Sequence, residues 1–161
     1  MRTSRKNIYY GEKTMKPLPS TDKKRIIEKL DKQFGIKKIP QLIILFGKEK
    51  LRLYSGNLLK EELYHLNNEI RIENMGLYFA KIENEDIRLT IDGVQVLKEQ
   101  ISKNILELTD EQALEWFKGN DLQIKTDYSW KILKNKNEFI GCGKSTGEKI
   151  SNFMPKERRI K

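Results

Sequence analysis

A chain of 161 residues, 37% apolar and 34% charged, suits one domain or two small ones sharing an interface, and it can bury a core without covalent staples. With no apolar run near about 18 residues and no charged segment leading into an apolar one, the sequence argues against a membrane span or a secretory signal; the expectation is a soluble, cytoplasmic protein. One cysteine, Cys142, and one histidine, His65, exclude an internal disulfide framework and the common structural zinc sites.

The net charge is +9, and its distribution is informative. Residues 1–25 carry eight Lys/Arg and two acids, and residues 144–161 carry six and two, whereas the 118 residues between them carry 18 and 19. The excess therefore sits at the two ends, which favours a basic surface for a polyanion over an evenly solvated lysine-rich exterior.

In chain order, residues 1–19 read as an extended basic arm with Tyr9, Tyr10 and Gly11, where Pro17 and Pro19 block helix. Ser20 or Thr21 is then placed to cap a helix that buries Ile26, Ile27, Leu30 and Phe34 and stops at Gly35. Leu42–Phe46 and Leu51–Tyr54, joined by Gly-Lys-Glu-Lys, predict a hairpin, and Leu58, Leu59, Leu63 and Leu66 predict a second helix ending at Asn67-Asn68. Residues 1–68 form a small α+β unit on this reading. From Glu69 the pattern changes to short strands at 70–72, 77–82, 87–91 and, across an Asp92-Gly93 turn, 94–97. Thr109-Asp-Glu-Gln112 fits a capping box opening a helix through Ala113, Leu114, Trp116 and Phe117 to Lys118-Gly119, and strands follow at 130–134, 139–143 and 149–153. Many short strands around one helix favour a compact barrel for residues 69–161.

No catalytic constellation emerges. Gly141-Cys-Gly143 lacks the third glycine and the following helix of a dinucleotide loop. Glu61, Glu62, Glu83, Glu85 and Asp86 fall in polar loops or helix faces, where solvation explains them. His65 has no partner at usable spacing, and Cys142, although beside Lys144, alternates with Phe139 and Ile140 as a packed strand position does.

The segments Phe117 to Leu122, Trp130 to Lys134, Gly141 to Lys144, and Ile150, Asn152, Phe153, Pro155, Lys156, Arg158 and Arg159 together form a spaced pattern. It resembles the PUA-like RNA-binding domain at the C-terminus of the Fmu/Sun-type RNA cytosine-C5 methyltransferases, also found as archaeal stand-alone proteins. The resemblance covers roughly residues 69–161, and Cys142 departs from the tryptophan common between the two glycines. It implies an α+β protein in which a small N-terminal domain, 1–68, precedes a C-terminal PUA-like β pseudobarrel, 69–161.

Family members that methylate RNA carry a separate cofactor domain with a glycine-rich loop and a nucleophilic cysteine beside proline, and neither pattern occurs in this sequence. The resemblance thus implies a non-catalytic RNA-binding protein without cofactor, acting on ribosomal or transfer RNA in ribosome biogenesis or RNA modification, with no DNA specificity and no membrane partner. The other reading is a subunit that docks on a separate RNA methyltransferase or ribosomal protein. Expected RNA contacts are Lys144, Lys149, Lys156, Arg158 and Arg159 at phosphates, with Asn152 and Phe153 beside them and Arg2, Arg5 and Lys6 as auxiliary contacts. Gly141 and Gly143 would admit either a phosphate or a packed neighbour close to the main chain.

Overall fold

The structure is a computed structural model and describes residues 15–161. Arg2, Arg5, Lys6 and the Tyr9-Tyr10-Gly11 segment lie outside the described residues. Among the described residues nine strands form two sheets, one of them curled as a half-barrel, and four α-helices accompany them, which gives the expected α+β fold with a PUA-like pseudobarrel.

The first sheet has five antiparallel strands in sequential order: β1 (Met15–Pro17), β2 (Leu42–Phe46), β3 (Lys50–Tyr54), β4 (Leu77–Glu83) and β5 (Asp86–Leu89). The hairpin expected at 42–54 is β2–β3. Helix α1 (Ser20–Phe34) buries Ile26, Leu30 and Phe34 and ends at Gly35, whose φ of 83° is a left-handed conformation that costs glycine little. Its N-cap, however, is Pro19, with no side-chain cap bond, so neither Ser20 nor Thr21 caps it. Helix α2 (Lys60–Glu69) likewise begins after Leu58 and Leu59, which stay exposed; Glu62 accepts from the Leu59 N–H at 2.6 Å, and Leu63 alone in the helix is fully buried.

Two expected strands are absent. Residues 70–72 are irregular, although Ile72 is buried against Met15, Ile44 and Leu63. Residues 91–97 form helix α3 (Ile91–Leu97), because the Thr90 hydroxyl accepts from the Gly93 N–H at 3.0 Å and one face, Gly93, Val94 and Leu97, is buried. The β-branched residues and the Asp-Gly pair suggested a turn and strand, and a cap plus burial at helical spacing overrode them. Gly93 packs directly on β4: a Cβ there would stand 2.0 Å from the Phe79 carbonyl oxygen.

The second sheet runs β6 (Ile105–Glu107), β7 (Trp130–Asn135), β8 (Glu138–Ser145) and β9 (Ile150–Ser151). Strand β6, absent from the sequence reading, lies parallel to β7, and helix α4 (Asp110–Phe117) makes the crossover. The expected capping box of α4 is complete: the Gln112 N–H donates to Thr109 Oγ1 at 3.2 Å and the Thr109 N–H to Gln112 Oε1 at 2.9 Å.

The strands after Glu69 thus divide between the sheets, and β3–β4 pairing runs across the 68/69 position. The largest core also crosses it, joining Leu30, Phe34 and Leu53 to Phe79, Val94, Trp130, Ile132 and Cys142. A second core holds Ala113, Trp116, Leu122, Leu133, Ile150 and Met154. Strand β7 is the seam, with Trp130 and Ile132 in one core and Leu133 in the other. Gly93→Ala is expected to destabilise the protein by about 1–3 kcal/mol through overpacking, read from the urea midpoint; an unchanged midpoint would show that α3 does not bind the sheets together.

Candidate nucleic-acid interface

The C-terminal end of α4 organises the candidate site. Gly119, with φ of 89°, turns the chain, and Asp121 then accepts twice, from Lys149 Nζ at 2.7 Å and from the Asn152 N–H at 2.9 Å. The Asn152 amide donates to the carbonyls of Trp116 (2.8 Å) and Asn120 (2.9 Å), while its oxygen accepts from the Met154 N–H at 2.8 Å. One side chain thereby ties the end of α4, whose Trp116 carbonyl also accepts from the Gly119 N–H at 3.0 Å, to the turn that follows it. The Lys149 ammonium beside Asp121 holds its carboxyl below the ordinary range.

Gly141 and Gly143 lie over Trp116, which is 1% exposed. A Cβ at Gly141, where φ is 155°, would stand 2.8 Å from Trp116 Nε1; one at Gly143 would stand 2.6 Å from Ile150 Cγ2 and 2.9 Å from Trp116 Cη2. Of the two roles open to these glycines, the close neighbour in the structure is the indole. Cys142 between them faces the other core, where burial pushes its thiol up to about 12; such a group is a packed side chain, inert as a nucleophile at neutral pH. His65 is exposed on α2.

The remaining expected residues divide by what they already hold. Arg158 Nη2 donates to Asp92 Oδ2 at 3.1 Å, and Arg159 Nε to the Met154 carbonyl at 3.1 Å with its stem packed against Gly119. Lys144 and Lys156 have no carboxylate within 4 Å among the described residues. Phe153 is 38% exposed and packs on Trp130, ring centroids 5.4 Å apart.

Two neighbours escaped the sequence reading. The Arg88 guanidinium lies 4.8 Å from the Phe153 ring centroid, and Tyr128, 69% exposed, lies under Lys144 Nζ at 5.2 Å. Arg88 is on β5 and Tyr128 in the loop before β7, so no local motif links them to the tail. Next to Phe153 a cavity of about 340 Å³ opens between the sheets, lined by Arg88, Thr90, Asp92, Trp116, Gly141 and Arg158 among others. Among the described residues no group of three or more His, Cys, Asp or Glu side chains could hold a metal ion. No described helix is long and apolar enough to cross a membrane.

Residues 103–160, which contain β6 through the C-terminal turn, match the family model of the methyltransferase RsmF PUA domain. The match over these residues supports a PUA-like domain of the type carried by the Fmu/Sun methyltransferase family. Similar proteins include the ribosomal RNA small subunit methyltransferases F of Aliivibrio fischeri strain MJ11, 33% identical over 95 residues, and Vibrio cholerae serotype O1 strain M66-2, 29% over 102. These alignments take in 57% and 62% of this chain but 20% and 22% of the relatives. With the enzyme of Photobacterium profundum the similarity is 27% over 138 residues, 84% of the chain and 28% of the relative. The chain thus spans about a fifth to a quarter of the length of the curated relatives it matches.

Asp127, held down to about 2 chiefly by the Lys131 ammonium and then by the Ser129 and Thr126 hydroxyls, gives a pH prediction. Its folded-state value lies below the ordinary 3.8, so its stabilising contribution is complete above about pH 4–5 and is lost as pH falls through about 2. Carboxyl NMR should show Asp127 titrating near the low value, and titration at the ordinary value would contradict the Lys131 clamp.

Proposed function

We propose that this protein binds structured RNA, ribosomal or transfer, through its PUA-like domain, in ribosome biogenesis or RNA modification. The observation that carries the reading is the pair of cations without carboxylate partners, Lys144 and Lys156, on the segment that holds the half-exposed Phe153. Free ammonium groups contribute to phosphate affinity by releasing counterions, and exposed rings offer base contacts. Arg158 and Arg159 add charge while keeping their intramolecular bonds, and Arg2, Arg5 and Lys6 are proposed as auxiliary contacts. Lys149 and Asn152 shape the surface: their polar groups are turned to Asp121 and to the end of α4.

The chain acts on this reading as a binding protein, without chemistry of its own and without cofactor. Residues 1–68 would serve as a companion unit to the RNA-binding region 69–161, consistent with the shared core. In the cytoplasm its targets would be RNA rather than DNA, and a separate RNA methyltransferase or ribosomal protein would act on the same RNA. A second reading, docking on such a protein directly, draws on the exposed Leu58, Leu59 and Ile70 of the N-terminal half.

The test compares Lys144→Gln with Lys156→Gln and with Lys149→Gln, titrating each variant against total transfer RNA and a ribosomal RNA fragment pool at several salt concentrations. The first two should weaken binding and each flatten the log–log salt slope by about 0.7–0.9. Lys149→Gln should chiefly lower the melting temperature, because it strips Asp121 of its ammonium. Salt slopes unchanged by the first two substitutions would remove the assignment.

A further inference from the structure

Five side chains follow one another past the Trp130–Lys144 end of the β7–β8 pair, from the loop before β7 to β5 of the first sheet, in the order Tyr128, Lys144, Trp130, Phe153, Arg88. Lys144 Nζ lies 5.2 Å from the Tyr128 ring centroid and 5.5 Å from that of Trp130; the Trp130 and Phe153 centroids are 5.4 Å apart, and Arg88 caps Phe153 at 4.8 Å. Trp130 is 3% exposed and forms the floor, so the two rings open to solvent are the flanking ones.

Tyr128 stands in a loop whose backbone is tied down on both sides. Asp127, the preceding residue, accepts from Lys131 Nζ at 2.7 Å, from Ser129 Oγ at 3.0 Å and from Thr126 Oγ1 at 3.1 Å. The Ser145 N–H donates to the Ser129 carbonyl at 2.8 Å, and the Thr126 N–H to the Gly147 carbonyl at 3.2 Å. Lys131 is 6% exposed, and a buried ammonium is costly unless paired; its pairing with Asp127 fixes the residue beside the tyrosine. An aromatic ring is thus held in water on an ordered loop, touching a free cation, with no hydrogen bond from its hydroxyl among the described residues.

We propose that Tyr128 and Phe153 are stacking platforms for bases of an unpaired RNA segment, with Lys144 between them at the phosphates. The inference rests on the RNA-binding reading and narrows it to the kind of RNA stretch this face accepts. Stacking needs a base with an open π-face, which single-stranded loops and ends offer and an intact helix withholds. Arg88 and Trp130 both contact the Phe153 ring and hold it in place, so a base would meet the 38% of the residue that stays exposed.

The experiment measures fluorescence anisotropy with two probes, a labelled unpaired RNA oligomer of mixed sequence and the same oligomer annealed into a duplex, at near-physiological salt. Wild type should prefer the unpaired probe. Tyr128→Ala should weaken that complex roughly 5- to 150-fold and leave the duplex affinity unchanged, while Tyr128→Phe keeps the ring and should bind as wild type does. The position is exposed, so the fold survives the change, which a melting curve verifies. Equal binding of both probes, or Tyr128→Ala matching wild type on the unpaired one, overturns this inference and leaves RNA binding standing. Binding to neither probe overturns this inference alone where total transfer RNA or the ribosomal RNA fragment pool still binds, and overturns both readings where those do not bind either.

Discussion

The packing of the Trp116 indole against two glycines is the contact on which the C-terminal half depends. A large aromatic ring at the end of α4 fits under β8 because Gly141 and Gly143 carry no Cβ to meet it. With the ring in place, the helix end is fixed relative to the sheet, and Asp121, Lys149 and Asn152 can tie the returning chain to it. The Ile160 N–H then donates to the Phe117 carbonyl at 2.9 Å, so even the penultimate residues are secured to the helix. Removing such a buried tryptophan costs about 3–5 kcal/mol in other proteins, and here it would also release the segment that presents Phe153 and Lys156.

This arrangement separates two roles that a basic, glycine-spaced tail suggests together. Lys149 and Asn152 build the surface, and Lys144 and Lys156 remain free on it. Arg158 and Arg159 stand between these cases, each with one side-chain partner at 3.1 Å and a side chain that is only partly exposed. Charge counted along the sequence could not make this distinction, because the partners that decide it, Asp121 and Asp92, lie 28 and 66 positions away from Lys149 and Arg158.

What the sequence revealed follows the range of the interactions involved. The capping box of α4, the Gly35 stop of α1 and the β2–β3 hairpin depend on neighbours within a few residues, and all three were legible. Helix α3 was misread because Ile91, Val94 and Val96 favour strand locally, while the Thr90 cap and the burial of Val94 and Leu97 favour helix. Strand β6 was missed because three residues gain their identity only from parallel pairing with β7. At the site, the tail residues were visible as a motif, whereas Arg88 and Tyr128 reach it from β5 and from the loop before β7, by folding alone.

The proposed RNA-binding face is the surface of β7 and β8 around Lys144. Its most direct test is amide and indole chemical-shift mapping of the labelled protein on adding an RNA that contains an unpaired loop. The largest shifts should fall on Tyr128, the Trp130 indole N–H, Lys144 and Phe153, with the α1 surface unmoved. Shifts confined to the first sheet and α2, or none on this face at saturating RNA, would contradict it.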